Sequence, residues 1–145
     1  SASSIEAGLP ADSSSTAGKA PGRPLRPGKG FGGFGGLQEL LDLNKPVIAA
    51  LNGMAVGGGF ELALSADIIL AAEHATFALP EIKAGTLADA ATVKLPRRMP
   101  YHVAMDLLFT GRWMDAREAK HWGIVNEIAP AAQLMERARA IASLL

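Results

Sequence analysis

Two runs of uninterrupted apolar residues, Val47-Ile48-Ala49-Ala50-Leu51 and Ile68-Ile69-Leu70-Ala71-Ala72, limit what this chain can fold into. Each has the length of a strand. A strand with no polar residue on either side of its pleat needs cover on both faces, the situation in layered α/β proteins. Pro46 opens the first run and Asn52-Gly53 ends it, while Asp67 precedes the second. A short third strand, Ala75-Thr76-Phe77-Ala78, stops before Pro80, and Ile124 to Ile128 reads as a fourth. Helices fit between these segments: Phe60 to Ala66, Tyr101 to Phe109, and Asp115 to Trp122 with Gly123 as its C-terminal stop. Ala131 to Leu145 reads as a closing helix with Leu134, Ala138, Ile141 and Leu145 on one face. Strand-then-helix units recur without a long-period repeat.

Composition changes near residue 36. Residues 1–36 hold 9 of the 16 glycines and 4 of the 9 prolines, and end in Gly30-Phe31-Gly32-Gly33-Phe34-Gly35-Gly36. Such a segment has too few large apolar groups to offset the entropy of ordering it, and reads as a flexible arm. Residues 37–145 form the domain, which Leu37, Leu40, Leu41 and Leu43 open as a short amphipathic helix. Across the 145 residues, 14 basic and 14 acidic side chains cancel. That balance argues against nucleic acid or an anionic membrane as a main partner. A basic arm that touches RNA is the weaker alternative to a solvated linker. The absence of cysteine excludes disulfides, zinc-thiolate sites, iron–sulfur clusters and thiol nucleophiles. No apolar run reaches the ~18 residues that span a bilayer. Ser1-Ala2-Ser3-Ser4 lacks the features of a secretory signal, so a reducing, cytoplasmic compartment is expected.

Gly57-Gly58-Gly59 followed by a helix is the first feature with chemical content. Consecutive glycines permit positive φ and close approach to a ligand, and the helix start points unpaired N–H groups back at the turn. The combination suits negative charge, either a phosphate or the oxyanion of a carbonyl under attack. A tight turn that needs glycine only for packing explains the spacing equally well. Of the two anions, the carbonyl is favoured. The Lys-Ser/Thr of a phosphate loop is replaced by Phe60-Glu61, and the dinucleotide glycine spacing is missing. A carboxylate repels phosphate but serves as acid or base beside a carbonyl. Glu61 in the first helical turn is also explained by the macrodipole, worth about 0.3–1 kcal/mol. Glu81, after Pro80, reads as a loop residue. Two carboxylates that converged on one carbonyl would supply acid and base, each worth about 10²–10⁴-fold in rate. His74, His102 and His121 have no metal-ligand spacing, so no metal site is expected. Lys94, Arg97 and Arg98 read as a solvated basic face, with an anion site for a phosphate-bearing ligand as the weaker alternative, and Trp113 and Trp122 as core.

The stretch from Lys45 to Leu64, together with Phe77-Ala78-Leu79-Pro80-Glu81, Thr110-Gly111-Arg112 and Gly123-Ile124-Val125-Asn126, resembles the enoyl-CoA hydratase/isomerase (crotonase) superfamily. Gly57-Gly58-Gly59-Phe60-Glu61-Leu62-Ala63-Leu64 and Ala78-Leu79-Pro80-Glu81 are most similar to its carnitinyl-CoA dehydratase branch. The resemblance runs from about Leu37 to the end of the chain. It implies an α/β fold, a partial ClpP/crotonase-like spiral of β-β-α units, and assembly as trimers or dimers of trimers. It also implies that Gly58 is an oxyanion-hole N–H donor and that Glu61 and Glu81 are the acid/base pair. Met54, Gly57, Pro80 and Asp89 are implied as substrate contacts. The substrate would be an acyl-CoA thioester, with coenzyme A part of the substrate and no separate cofactor. The family's Ala-Gly-x-Asp-Leu element, source of the second oxyanion donor, and its terminal helices are expected outside the sequence given. Where the family carries a Pro-x-x-Gly-Gly turn, Ala88-Asp89-Ala90-Ala91-Thr92 is one residue shorter and is expected to shift that loop. Three readings follow: hydration or dehydration of a 2-enoyl-CoA, double-bond isomerisation on the same fold, and a non-catalytic truncated paralogue or assembly subunit.

Overall fold

A computed structural model describes residues 36–37 and 43–145. The expected helix through Leu40 and Leu41, and nearly all of the glycine-rich arm, lie outside the described residues. Strand β1 (Ile48–Leu51) and strand β2 (Met54–Val56) lead into helix α1 (Gly58–Ala63). Strands β3 (Ile68–Ala72) and β4 (Thr76–Ala78) repeat the pair and lead into a 3₁₀ turn, Pro80–Ala84, and helix α2 (Asp89–Lys94). Helix α3 (Tyr101–Thr110), strand β5 (Trp113–Asp115), helix α4 (Ala116–His121), strand β6 (Glu127–Ala129) and helix α5 (Leu134–Ala142) complete the chain. The members of each strand pair go to different sheets. One sheet has the order β1-β3-β6, all parallel; the other has β2-β4-β5, with β2 parallel to β4 and β5 antiparallel.

The apolar runs behave as their composition requires. Alternate residues of β1 and β3 go to opposite faces. Ala49, Leu51, Ile69 and Ala71 join the main core, where Phe60, Phe77, Leu79, Leu95 and Leu107 are fully buried. Ile48, Ala50, Ile68, Leu70 and Ala72 face a second cluster closed by Leu134, Ala138 and Ile141 of α5. Leu145 does not share that face, because α5 ends at Ala142 and leaves Leu145 exposed.

Polar residues ahead of the strands set their register. The Asp67 carboxylate accepts from Val47 N–H at 2.8 Å, while Asp67 N–H donates to Val47 O at 2.9 Å, one step before the Ile48–Ile68 pair. Asn126 does the same for β6. Its Oδ1 accepts from Ile69 N–H and its N–H donates to Ile69 O, both at 2.8 Å, one step before Leu70 pairs with Glu127. The expected strand from Ile124 therefore starts late. Ile124 and Val125 N–H both donate to Ala119 O, closing α4 through Gly123 at φ 83.

Strands β2 and β5 and helix α2 carry no signal that sequence periodicity picked up. Trp113 lies on β5, where alternation buries Met114 and leaves Trp113 half exposed, so it is not a core residue; Trp122 packs against the core. Arg112 ties this region together. It pairs with Asp106 on α3 and with both Glu118 oxygens on α4, at 3.0 and 2.7 Å, while the Asp115 carboxylate caps α4 through Glu118 N–H. The Arg112 hydrogen bonds hold the Glu118 carboxyl below its ordinary pKa.

Two outcomes follow. Asn126→Ala leaves the buried Ile69 N–H without its acceptor and should lower unfolding free energy in urea by about 1–3 kcal/mol; Asn126→Asp, which keeps the oxygen, should cost less. Because the Glu118 pKa is lowered by folding, its ion pair contributes stability at neutral pH that is lost as pH falls through the folded-state value. The gap in urea midpoint between the unmodified chain and Glu118→Gln should narrow on acidification; a gap independent of pH would refute this.

Candidate active site

Strands β2 and β4 run parallel, so both leave the sheet at the same edge. Their last pair is Val56 with Ala78, and Gly57 N–H extends the ladder one step by donating to Ala78 O at 2.9 Å. At that level both strands turn away. Gly57 has φ 54 and ψ −124, a conformation that side-chain-bearing residues rarely adopt, and this reverses the chain into α1. The first bond within α1 runs from Glu61 N–H to Gly57 O at 3.0 Å. The N–H groups of Gly58, Gly59 and Phe60 therefore precede the helical ladder. Phe60 points inward and packs against Phe77 of β4, ring centroids 5.2 Å apart, which seats α1 on the sheet.

Glu61 in that first turn is 5% exposed. Its Oε1 accepts from Ala91 N–H of α2 at 2.9 Å. Glu81 is not on an irregular loop but in the first turn of the 3₁₀ segment that Pro80 opens directly behind β4. Its carboxylate lies against Gly57: a Cβ on that glycine would stand 2.7 Å from Glu81 Oε1. Glu81 Oε2 is buried and has no hydrogen-bond partner among the described residues. The parallel register thus brings Gly57, Gly58, Glu61, Pro80 and Glu81 to one sheet edge.

The remaining expected contacts are more scattered. Met54 opens β2 and is 77% exposed. Asp89 is the exposed first residue of α2, two positions before Ala91. Of the stretch 88–92, Ala88 is the N-cap and Asp89 to Thr92 are the start of α2. His74 Nε2 lies 2.9 Å from Asn52 O, and His102 and His121 are exposed on α3 and α4. Among the described residues no group of three or more His, Cys, Asp or Glu is placed to hold a metal ion, and no helix is long and apolar enough to cross a membrane. Arg97 and Arg98 are exposed, but Lys94 is not a simple solvated charge: its Nζ donates to Ser65 Oγ at 2.6 Å, and Ser65 Oγ donates to Glu61 O at 2.9 Å. Sequence reasoning missed Ala91 and Ser65. The Ala91 donor is a backbone N–H, which no residue type announces, and its one available signal was the alanine-rich helix-forming stretch itself.

Residues 29–145 match the enoyl-CoA hydratase/isomerase family. A carnitinyl-CoA dehydratase from Salmonella arizonae is 51% identical over 126 residues, covering 86% of this chain and 47% of that protein. One from Proteus mirabilis is 53% identical over 107 residues, 73% of this chain and 41% of that protein. Among solved structures, a carnitinyl-CoA hydratase from Mycobacterium avium superimposes with a TM-score of 0.75 at 42% identity, covering 79% of this chain and 44% of that one. The chain spans less than half the length of these relatives. Sequence and architecture agree, and the chain belongs to the enoyl-CoA hydratase/isomerase family, carrying part of its α/β crotonase fold.

Proposed function

We propose that this chain supplies the acid/base site of an acyl-CoA lyase that adds water to, or removes it from, a 2-enoyl-CoA-type thioester. The observation that carries this reading is the packing of the Glu81 carboxylate on Gly57, four residues ahead of Glu61, at the edge where β2 and β4 end. Reaction at the α or β carbon of a thioester gives its carbonyl enolate character. The Gly58 N–H, ahead of the helical ladder, is the proposed donor to that oxygen; loss of such a donor costs about 2.7–4 kcal/mol in oxyanion holes. Glu61 and Glu81 are the proposed acid and base, one handling water and the other the carbon-bound proton. Glu81 Oε2, without a partner among the described residues, supports this, since a buried carboxylate oxygen without a donor favours a hydroxyl or water in that position.

The acyl group proposed is carnitine-like, from the half-identical relatives named carnitinyl-CoA dehydratase. Met54, Gly57, Pro80 and Asp89 are the proposed substrate contacts. Coenzyme A enters as part of the substrate, with no separate cofactor. Assembly into trimers or hexamers is proposed with it, and would give cover to large apolar side chains such as Leu87 and Phe109, which are 72% and 68% exposed.

Crotonobetainyl-CoA or crotonyl-CoA, followed by enoyl-thioester absorbance, should be hydrated by the full chain. Glu61→Gln and Glu81→Gln should each lower kcat by about 10²–10⁴-fold. Turnover that survives both changes would defeat the two-glutamate mechanism. Double-bond migration without hydration would indicate the isomerase, and CoA-ester affinity without turnover a non-catalytic subunit. Gly57→Ala should cost about 1–3 kcal/mol through its positive φ. Because the new Cβ displaces Glu81, it should also lower kcat as far as Glu81→Gln does, a loss that stability alone would not produce.

A further inference from the structure

Glu61 is held by α2 at both ends of its residue. Its carboxylate accepts from Ala91 N–H at 2.9 Å. Its main-chain oxygen accepts from Ser65 Oγ at 2.9 Å, and Ser65 Oγ in turn accepts from Lys94 Nζ at 2.6 Å. The spacing makes this a matched pair of faces. Glu61 and Ser65 are four residues apart, Ala91 and Lys94 three apart, so each pair lies on one side of its own segment. Helix α2 has six residues and no side-chain hydrogen bond at its N-cap. A helix that short is unstable alone, and its position is set by what it packs on.

We propose that Ser65 and Lys94 are positioning residues for Glu61, acting by clamping α2 against α1 so that the Ala91 N–H stays on Glu61 Oε1. A glutamate has three rotatable side-chain bonds, and swinging this one out of reach would leave a buried oxygen without a donor. The clamp removes that alternative by fixing the donor's element to the acceptor's own main chain. Its catalytic consequence rests on the acid/base reading of Glu61 given above; the geometry does not.

The test therefore reads the geometry without turnover, by ¹⁵N–¹H NMR of the full chain. Glu61→Gln, which replaces the carboxylate acceptor by an amide, should shift the Ala91 amide resonance. Ser65→Ala and Lys94→Met should each lower hydrogen-exchange protection at Ala91 about tenfold. The Ile69 amide, in the other sheet, and the Asn126 amide next to it should be unchanged. Ser65→Thr and Lys94→Arg should restore the protection. Where Lys94→Met does not fold, Ser65→Ala, which removes one hydroxyl, decides. An Ala91 amide whose protection is indifferent to Ser65→Ala, or whose resonance is indifferent to Glu61→Gln, would overturn the proposal. If the NMR result is as expected but no thioester turns over, the lyase reading fails and the clamp stands. If turnover is found, Ser65→Ala should lower kcat with KM unchanged.

Discussion

The hydrogen bond from Gly57 N–H to Ala78 O is the contact on which both fold and site depend. It is the last rung of the β2–β4 ladder and fixes the level at which two parallel chains leave the sheet. Glu61 follows Gly57 by four residues and Glu81 follows Ala78 by three, so the rung sets where both carboxylates emerge. A slip of one residue would send every side chain of β2 to the other face and separate the pair. The bond itself is weak, since a hydrogen bond contributes about 0.5–1.5 kcal/mol net. What holds the register is burial around it. Phe60, Leu64, Phe77 and Leu79 are each no more than 1% exposed, and burying such side chains contributes about 1.5–3 kcal/mol apiece. Packing supplies the energy and the rung supplies the geometry.

The two sheets divide the work. In the sheet β1-β3-β6, strands β1 and β3 are apolar on both faces and are sandwiched between the main core and α5. It forms a wall and carries none of the site's side chains. The sheet β2-β4-β5 consists of three-residue strands and holds the site at its edge. Strands that short are not stable in isolation; they are kept in place by the wall, by α1 through the Phe60–Phe77 contact, and by the Arg112 network behind β5. Exposed ion pairs are worth little individually, about 0–1 kcal/mol. Arg112 matters because one guanidinium joins α3, the Trp113 main chain and α4 at once.

Legibility in the sequence followed element length and chemical kind. Strands β1 and β3 were evident because five consecutive apolar residues have few other uses. The glycine triplet predicted a turn into a helix, although the helix begins at Gly58 rather than Phe60. Strands β2 and β5 were not evident, because three residues give no periodicity. Trp113 was misplaced for the same reason, since only knowing that Met114 faces inward turns its neighbour outward. In the site, Glu61 and Glu81 were legible as residue types. That Glu81 rests on Gly57, and that a main-chain N–H from α2 meets Glu61, depends on folding that brings together residues 20 to 30 positions apart.

The alanines of α2 bear on how Glu61 should be understood. Replacing glycine by alanine favours helix by about 1 kcal/mol per residue, and Ala88-Asp89-Ala90-Ala91-Thr92 accordingly starts a helix in which the Ala91 N–H is among the unpaired first-turn donors. Glu61 thus sits in the first turn of one helix and accepts from the first turn of another. Each helix end favours a carboxylate by about 0.3–1 kcal/mol, so electrostatics alone gives a reason for an acidic residue here. It gives no reason for burial. A carboxylate benefits from a helix end while remaining in water, and removing it from water carries a cost that rises steeply when hydrogen bonds are few. Glu61 is nonetheless 5% exposed, with the Ala91 N–H on its carboxylate, and Glu81 Oε2 is buried with no hydrogen-bond partner among the described residues. A buried carboxylate with so few donors is a poor solution for stability, so helix-end electrostatics alone does not account for where Glu61 lies.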